Sequence, residues 1–85
     1  MLYYTNTFRD YTTVILEIED NIHANDIPKI REQLLGLGQI VDERSLHIIN
    51  KSDEDIHTGW KFVVVTTQNA SCIQSVIDDI LEILM

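Results

Sequence analysis

Near the C-terminus, Ile73, Val76, Ile77, Ile80, Leu81 and Leu84 recur at i, i+3, i+4, i+7, i+8 and i+11, the stripe of one amphipathic helix. Just ahead of the stripe, Ser71-Cys72-Ile73-Gln74 has the S-x-x-Q form of a capping box, which predicts a helix start with Ser71 accepting from the N3 amide and Gln74 reaching back. Burying such aliphatic side chains is worth about 1.5–3 kcal/mol each, against an ordering cost of about 1.5 kcal/mol per residue. The helix therefore needs a sheet beneath it.

Period-two segments supply that sheet. In Tyr11 to Glu19, Val14, Leu16 and Ile18 alternate with Thr13, Ile15, Glu17 and Glu19, so the first set is assigned to the core. Asp20 to Ala24 reads as a connection, after which Asn25 or Asp26 caps a helix whose first turn accommodates Pro28. Ile27, Ile30, Leu34 and Leu37 repeat at helical spacing, and Gly36 and Gly38 provide an αL-permissive stop. Gln39 to Asn50 starts and finishes apolar around the polar Asp42-Glu43-Arg44-Ser45, a strand with a bulge or bend in its middle. Trp60 to Thr67 is rich in aromatic and β-branched residues, with Trp60, Phe62, Val64 and Thr66 on one face and Lys61, Val63, Val65 and Thr67 on the other. Lys51 to Gly59, between these strands, is longer than an ordinary hairpin loop.

The order strand, helix, strand, strand, helix resembles the first five elements of a ferredoxin-like α+β two-layer sandwich, βαββα. The final strand of that architecture, antiparallel to the first at the sheet edge, has no residues left to form it after Met85. Leu2-Tyr3-Tyr4-Thr5 is the candidate for its place, folding back on Tyr11 to Glu19 through a turn around Asn6 to Asp10 and giving ββαββα. Without that pairing, Tyr11 to Glu19 is an open edge, which proteins usually cover or use. No internal repeat, low-complexity segment or Pro/Gly/Ser linker divides the chain, and one domain over residues 1–85 is expected.

Composition narrows the classes of function. An apolar fraction of 45% with 24% charged residues is that of a folded globular chain. Six Lys plus Arg against fourteen Asp plus Glu leave a net charge of -8, a field that repels phosphate backbones and anionic lipid headgroups. Direct nucleic-acid and membrane binding are therefore not expected. No uninterrupted apolar run approaches a membrane span or signal-peptide core, and the single cysteine, Cys72, has no partner for an internal disulfide. Both point to a cytoplasmic protein.

Candidate chemistry is sparse. His23, His47 and His57 match no metal-ligand spacing, and the calcium-loop pattern is absent around Asp53-Glu54-Asp55, so no metal is assigned. Cys72 falls in the first turn of the last helix, where the dipole favours a thiolate, but no histidine is locally placed as its base. Gly36-Leu37-Gly38 is too short for a phosphate-cradling loop and no G-x-S-x-G elbow occurs. No cofactor or catalytic residue is assigned, and a non-catalytic protein is expected.

Ile15, Val63 and Val65, joined by Val41 or Ile49, fall on the sheet face opposite the helices, where an apolar patch marks an interface unless Leu2, Tyr3, Tyr4 and Phe8 fold over it. The reading that follows is a small acidic interaction or regulatory protein that docks its sheet face or edge on another protein. Ile15, Val63 and Val65 supply the face, Asp53, Glu54, Asp55 and His57 steer toward a basic partner, and a homodimer is one form of the assembly. An acidic inhibitor that mimics nucleic-acid charge is a rival. A second rival resembles ACT-type regulatory domains, which have this strand and helix order and bind amino acids at domain interfaces; that resemblance implies ligand-contacting backbone at Gly38, after the first helix.

Overall fold

The computed structural model describes residues 1–48 and 56–85. It contains β1 (Leu2–Phe8), β2 (Tyr11–His23), α1 (Ile27–Leu37), β3 (Gln39–Ile48), β4 (Ile56–Thr66) and α2 (Ala70–Leu84). The strands form one antiparallel sheet in the order β1-β2-β4-β3, and the two helices pack on one of its faces in an α+β arrangement.

The N-terminal segment is a strand, longer than the Leu2 to Thr5 expected. Its turn is correspondingly tighter: Phe8 pairs with Tyr11 across Arg9-Asp10 alone. Arg9 has φ 56, the only positive value at a non-glycine among the described residues, and a positive φ at the first turn position alone is the pattern of a type II′ hairpin.

The supposed connection at Asp20 to Ala24 is corrected, because β2 continues to His23 through a bulge. Three steps from Ile18 to Asn21 face two steps from Trp60 to Thr58. The strand resumes with Ile22 in the core, 1% exposed. On the far side, β3 has the expected bulge, placed at Val41: Ile40 pairs with Val64 and Asp42 with Val63. Likewise, β4 begins at Ile56, so His57 belongs to a strand, paired with Ile22 and Ile48, rather than to a loop.

Alternation explains the core. Val14, Leu16 and Ile18 of β2 and Phe62 and Val64 of β4 are buried under Ile27, Ile30, Leu34 and Leu37 of α1 and Ile73, Ile77 and Ile80 of α2. The α2 stripe is rotated slightly from expectation: Val76, Ile83 and Leu84 pack at its margin, while Leu81 is exposed.

The start of α1 falls after Asp26, one of the two expected N-caps, whereas α2 starts from a different cap. Asp26 makes no side-chain capping bond and instead lies 3.6 Å from Lys29. For α2 the cap is Asn69, whose Oδ1 accepts from the Cys72 N–H at 2.9 Å. Ser71 is exposed inside the first turn, and Gln74 accepts from the Tyr3 hydroxyl at 2.6 Å while donating to Asp78 at 2.9 Å, so no capping box forms. The end of α1 also differs from the αL stop, since Gly38 is extended at φ -173. What requires glycine there is proximity: a Cβ on Gly38 would collide with the Val65 carbonyl oxygen and meet Thr66 at 3.0 Å. Beside it, the buried Thr66 hydroxyl donates to the Leu37 carbonyl at 2.8 Å and accepts from the Gln68 N–H at 3.0 Å. One side chain thus joins the end of α1, the end of β4 and the turn into α2.

Candidate functional site: the open face of the sheet

Pairing register fixes which residues stand on the face that the helices leave uncovered. Cross-strand partners share a face, and one row across the sheet is Tyr4–Ile15–Val63–Asp42. The adjacent rows are Asn6–Thr13–Val65–Gln39 and Leu2–Glu17–Lys61–Arg44, and Phe8–Tyr11 closes the hairpin end. Ile15, Val63 and Val65 are therefore neighbours, as expected from the sequence, and each is half-buried by the others.

The N-terminal segment does not cover this patch. As the edge strand it enlarges it, with Leu2, Tyr4 and Phe8 on the same face, Tyr4 51% and Phe8 69% exposed. Tyr3, one residue out of phase, lies on the helix side and bonds Gln74. Phe8 carries the Arg9 guanidinium over its ring at 5.4 Å, and Tyr11 stands beside it, 54% exposed. These aromatic contributions from β1 were not assigned to the face from sequence alone. The signal that could have found them is the phase of the hairpin: once Phe8 pairs with Tyr11, every second residue back to Leu2 shares the face of Ile15.

Two opposite-charge pairs lie on the open face. Lys61 Nζ lies 4.0 Å from a Glu17 oxygen, and Arg44 bonds Asp42 Oδ2 through Nε at 3.1 Å and Nη2 at 2.7 Å. The rows thus hold two acids and two bases in a chain of net charge -8. The local field over these rows is correspondingly weaker than the net charge of the chain implies.

A stronger pair lies on the opposite face. Arg31 of α1 grips Glu43 of β3 with two hydrogen bonds, Nε to Oε1 at 2.8 Å and Nη2 to Oε2 at 2.6 Å. Those bonds hold the Glu43 carboxyl below the usual carboxylate range, outweighing the desolvation that pushes it up, with further lowering from the Arg31 charge and Trp60. The same bonds raise the Arg31 guanidinium. This pair fastens α1 to the outer strand and is not presented on the open face.

A cleft of about 380 Å³ opens between β1, the start of β2 and the start of α2, lined by Tyr3, Thr5, Thr7, Thr12, Gln68, Asn69, Ala70, Ile73 and Gln74. Its hydrogen-bonding groups are hydroxyls and amides with no charged side chain. Gly38, the backbone position that an ACT resemblance would single out, is not part of this cleft and is occupied by its contact with Val65 and Thr66.

Among the remaining residues considered, Cys72 is half-buried at the start of α2 and packs against the core, and His23 is exposed, its Nδ1 accepting from the Asn25 N–H at 3.2 Å. Asp53, Glu54 and Asp55, expected to steer a basic partner, lie outside the described residues, as does Ile49. Among the described residues, no three His, Cys, Asp or Glu side chains converge on one point, and no helix is long and apolar enough to cross a membrane. No protein-family model, curated protein or solved structure matches the chain.

Proposed function

We propose that this chain is a non-catalytic protein-interaction module that docks another protein on the open face of its sheet. The observation that carries the reading is the continuity of Tyr4, Ile15, Val63 and Val65 with Phe8 and Tyr11 across three strands, on the face the helices leave bare. An apolar surface of this kind, rimmed by balanced charges, fits a partner with its own apolar patch and mixed charges at the margin. A regulatory role in the cytoplasm is consistent with such a module. The architecture we infer is ferredoxin-like, with the N-terminal strand in the edge position usually taken by a final strand; the order β1-β2-β4-β3 supports this.

The arrangement favours this reading over charge mimicry. Described acids are dispersed: Asp10 in the hairpin turn, Glu17 and Glu19 on β2, Asp26 at the start of α1 and Glu32 on it, Asp78, Asp79 and Glu82 on α2, and Asp42 and Glu43 held by arginines. A phosphate mimic would use an unneutralised row of acids on one surface. Small-molecule sensing draws support from the uncharged cleft beside α2, whose volume lies within the range of ligand pockets. A thermal-shift screen with amino acids and nucleotides addresses that reading, since a ligand at a hundred times its Kd stabilises by about 2.7 kcal/mol.

The docking reading is tested by parallel capture from the native cell with the parent chain, Val63→Lys and Asp79→Lys as baits. A partner retained by the parent and Asp79→Lys but lost with Val63→Lys supports the open face. Equal recovery by all three refutes it.

A further inference from the structure

The two edges of the sheet differ in how they are protected. Along β3 the ladder is interrupted by the bulge at Val41, and Asp42, Glu43 and Arg44 follow within the strand, which are the usual devices against pairing with another chain. β1 has none of them. Leu2–Phe8 reads LYYTNTF, without charge, proline or glycine, and all seven residues are exposed. A long uncharged edge of this composition is a template for a further strand.

The hairpin also dictates which backbone groups face outward. In a II′ turn the residues flanking the two-residue loop are hydrogen-bonded, and bonded and non-bonded pairs alternate from there. Phe8, Asn6, Tyr4 and Leu2 therefore direct their N–H and C=O groups to β2, while Thr7, Thr5 and Tyr3 direct theirs to the open edge. The Thr7 and Thr12 hydroxyl oxygens, 3.1 Å apart, agree with this phase, since side chains approach more closely in non-bonded pairs.

We propose that β1 pairs antiparallel with β1 of a second copy of this chain, across a two-fold axis at Thr5, to make one continuous eight-stranded sheet. In that register Thr5 bonds Thr5 of the partner subunit and Tyr3 bonds Thr7 of the partner subunit, so every outward group of these residues meets an outward group of the other copy. On the open face, Leu2 stands opposite Phe8 of the partner subunit and Tyr4 opposite Asn6 of the partner subunit. Apolar contact across the junction is made by the two Leu2–Phe8 pairs. Self-association must bring together two chains of net charge -8, and the first eight residues are where that costs least, because no acidic side chain occurs before Asp10, which Arg9 offsets. This pairing goes beyond face docking and stands or falls separately.

The test combines sedimentation equilibrium with residue-resolved amide exchange on the full chain. The parent should be dimeric, Thr5→Lys should be a folded monomer because two lysines would meet at the axis, and Val63→Lys should remain dimeric. The Tyr3, Thr5 and Thr7 amides should become protected as parent concentration rises through the dimer range, while Tyr4 and Asn6 change little. A parent monomeric at its solubility limit overturns the proposal, as does a Thr5→Lys variant that dimerises as the parent does. If both variants dissociate, or Thr5→Lys fails to fold, parent exchange decides: concentration-dependent protection of Thr5 and Thr7 upholds the edge pairing, and its absence refutes it. Dissociation by Val63→Lys alone assigns the dimer to the open face, which overturns the edge and leaves the docking reading intact.

Discussion

Phe62 and Val63 are consecutive residues of β4, yet they belong to two different surfaces. Phe62 is fully buried beneath both helices, whereas Val63 is half-buried among Ile15 and its strand neighbours, with no layer above it among the described residues. Among the described residues, the helix-covered face has Thr66 as its sole buried polar residue, doubly hydrogen-bonded, so its packing specifies the fold. The open face is apolar at Ile15, Val63 and Val65 and is bordered by polar and charged side chains, two opposite pairs among them. An apolar residue in a strand therefore does not by itself identify a core position in this protein; the presence of a helix over that side does.

The largest consequence of the contrast is expected at Phe62. Removing a fully buried ring leaves a cavity under α1 and α2, and Phe62→Ala should lower unfolding free energy by about 3–5 kcal/mol. A hydroxyl placed next to it in the same core is the next most costly change: Val64→Thr, at 0% exposure, should cost about 1–3 kcal/mol for an unmatched polar group. Urea denaturation of each variant measures both. Losses below half a kcal/mol would show that the covered face is not the core.

A smaller effect distinguishes the two candidate starts of α2. Asn69→Ala removes the acceptor of the Cys72 N–H and should cost about 1 kcal/mol. Ser71→Ala should leave the melting temperature unchanged, because Ser71 lies inside the first turn and exposed. The opposite result would restore the capping box.

These assignments show what the chain discloses by itself and what it does not. Alternation in Val14-Leu16-Ile18 and Phe62-Val64-Thr66 and the helical repeat in Ile27-Ile30-Leu34-Leu37 are short-range patterns imposed by burial, and they located the covered face residue by residue. The end of β2 was missed because the bulge after Ile18 interrupts the alternation that would have carried the strand to Ile22. Asn69 was missed because Ser71 and Gln74 form an equally good local motif, and the choice was made by Tyr3 engaging Gln74 from 71 positions away. For the open face, Ile15, Val63 and Val65 were legible from strand phase alone. The share contributed by Leu2, Tyr4 and Phe8 was not, since it depends on a register set by where a two-residue turn falls.

Acid should act on the covered side at the Arg31–Glu43 pair. Glu43 has its carboxyl held below the ordinary range by Arg31, so the folded state binds its proton less readily than the unfolded chain. The stabilisation is complete above the unfolded value, about 4.3 for glutamate, and is lost as pH falls through the lower folded value. Because the Arg31 side chain is 39% exposed, solvent screening limits the pair to about 1 kcal/mol or less. Glu43→Gln should flatten that part of the acid limb of a stability profile. An acid limb identical in Glu43→Gln and the parent would show that the pair contributes nothing.

The smallest expected effect isolates the contrast most cleanly, because it repeats one chemical change on the next residue. Val63→Thr keeps β-branching and nearly the same volume, and at a half-buried site on the open face the new hydroxyl retains access to water. Its cost should stay within about 0.5 kcal/mol, as surface substitutions usually do, against the larger loss for Val64→Thr one position along. The difference between the two variants reports how dry each face is, with strand propensity and side-chain size cancelling. If the comparison is made over a range of protein concentrations, it also reads whether the open face is occupied: a Val63→Thr penalty that grows with concentration, as the parent gains stability by mass action, would place Val63 in an assembly interface. A penalty that stays small at every concentration leaves the face open in the isolated protein and available to a partner of different sequence.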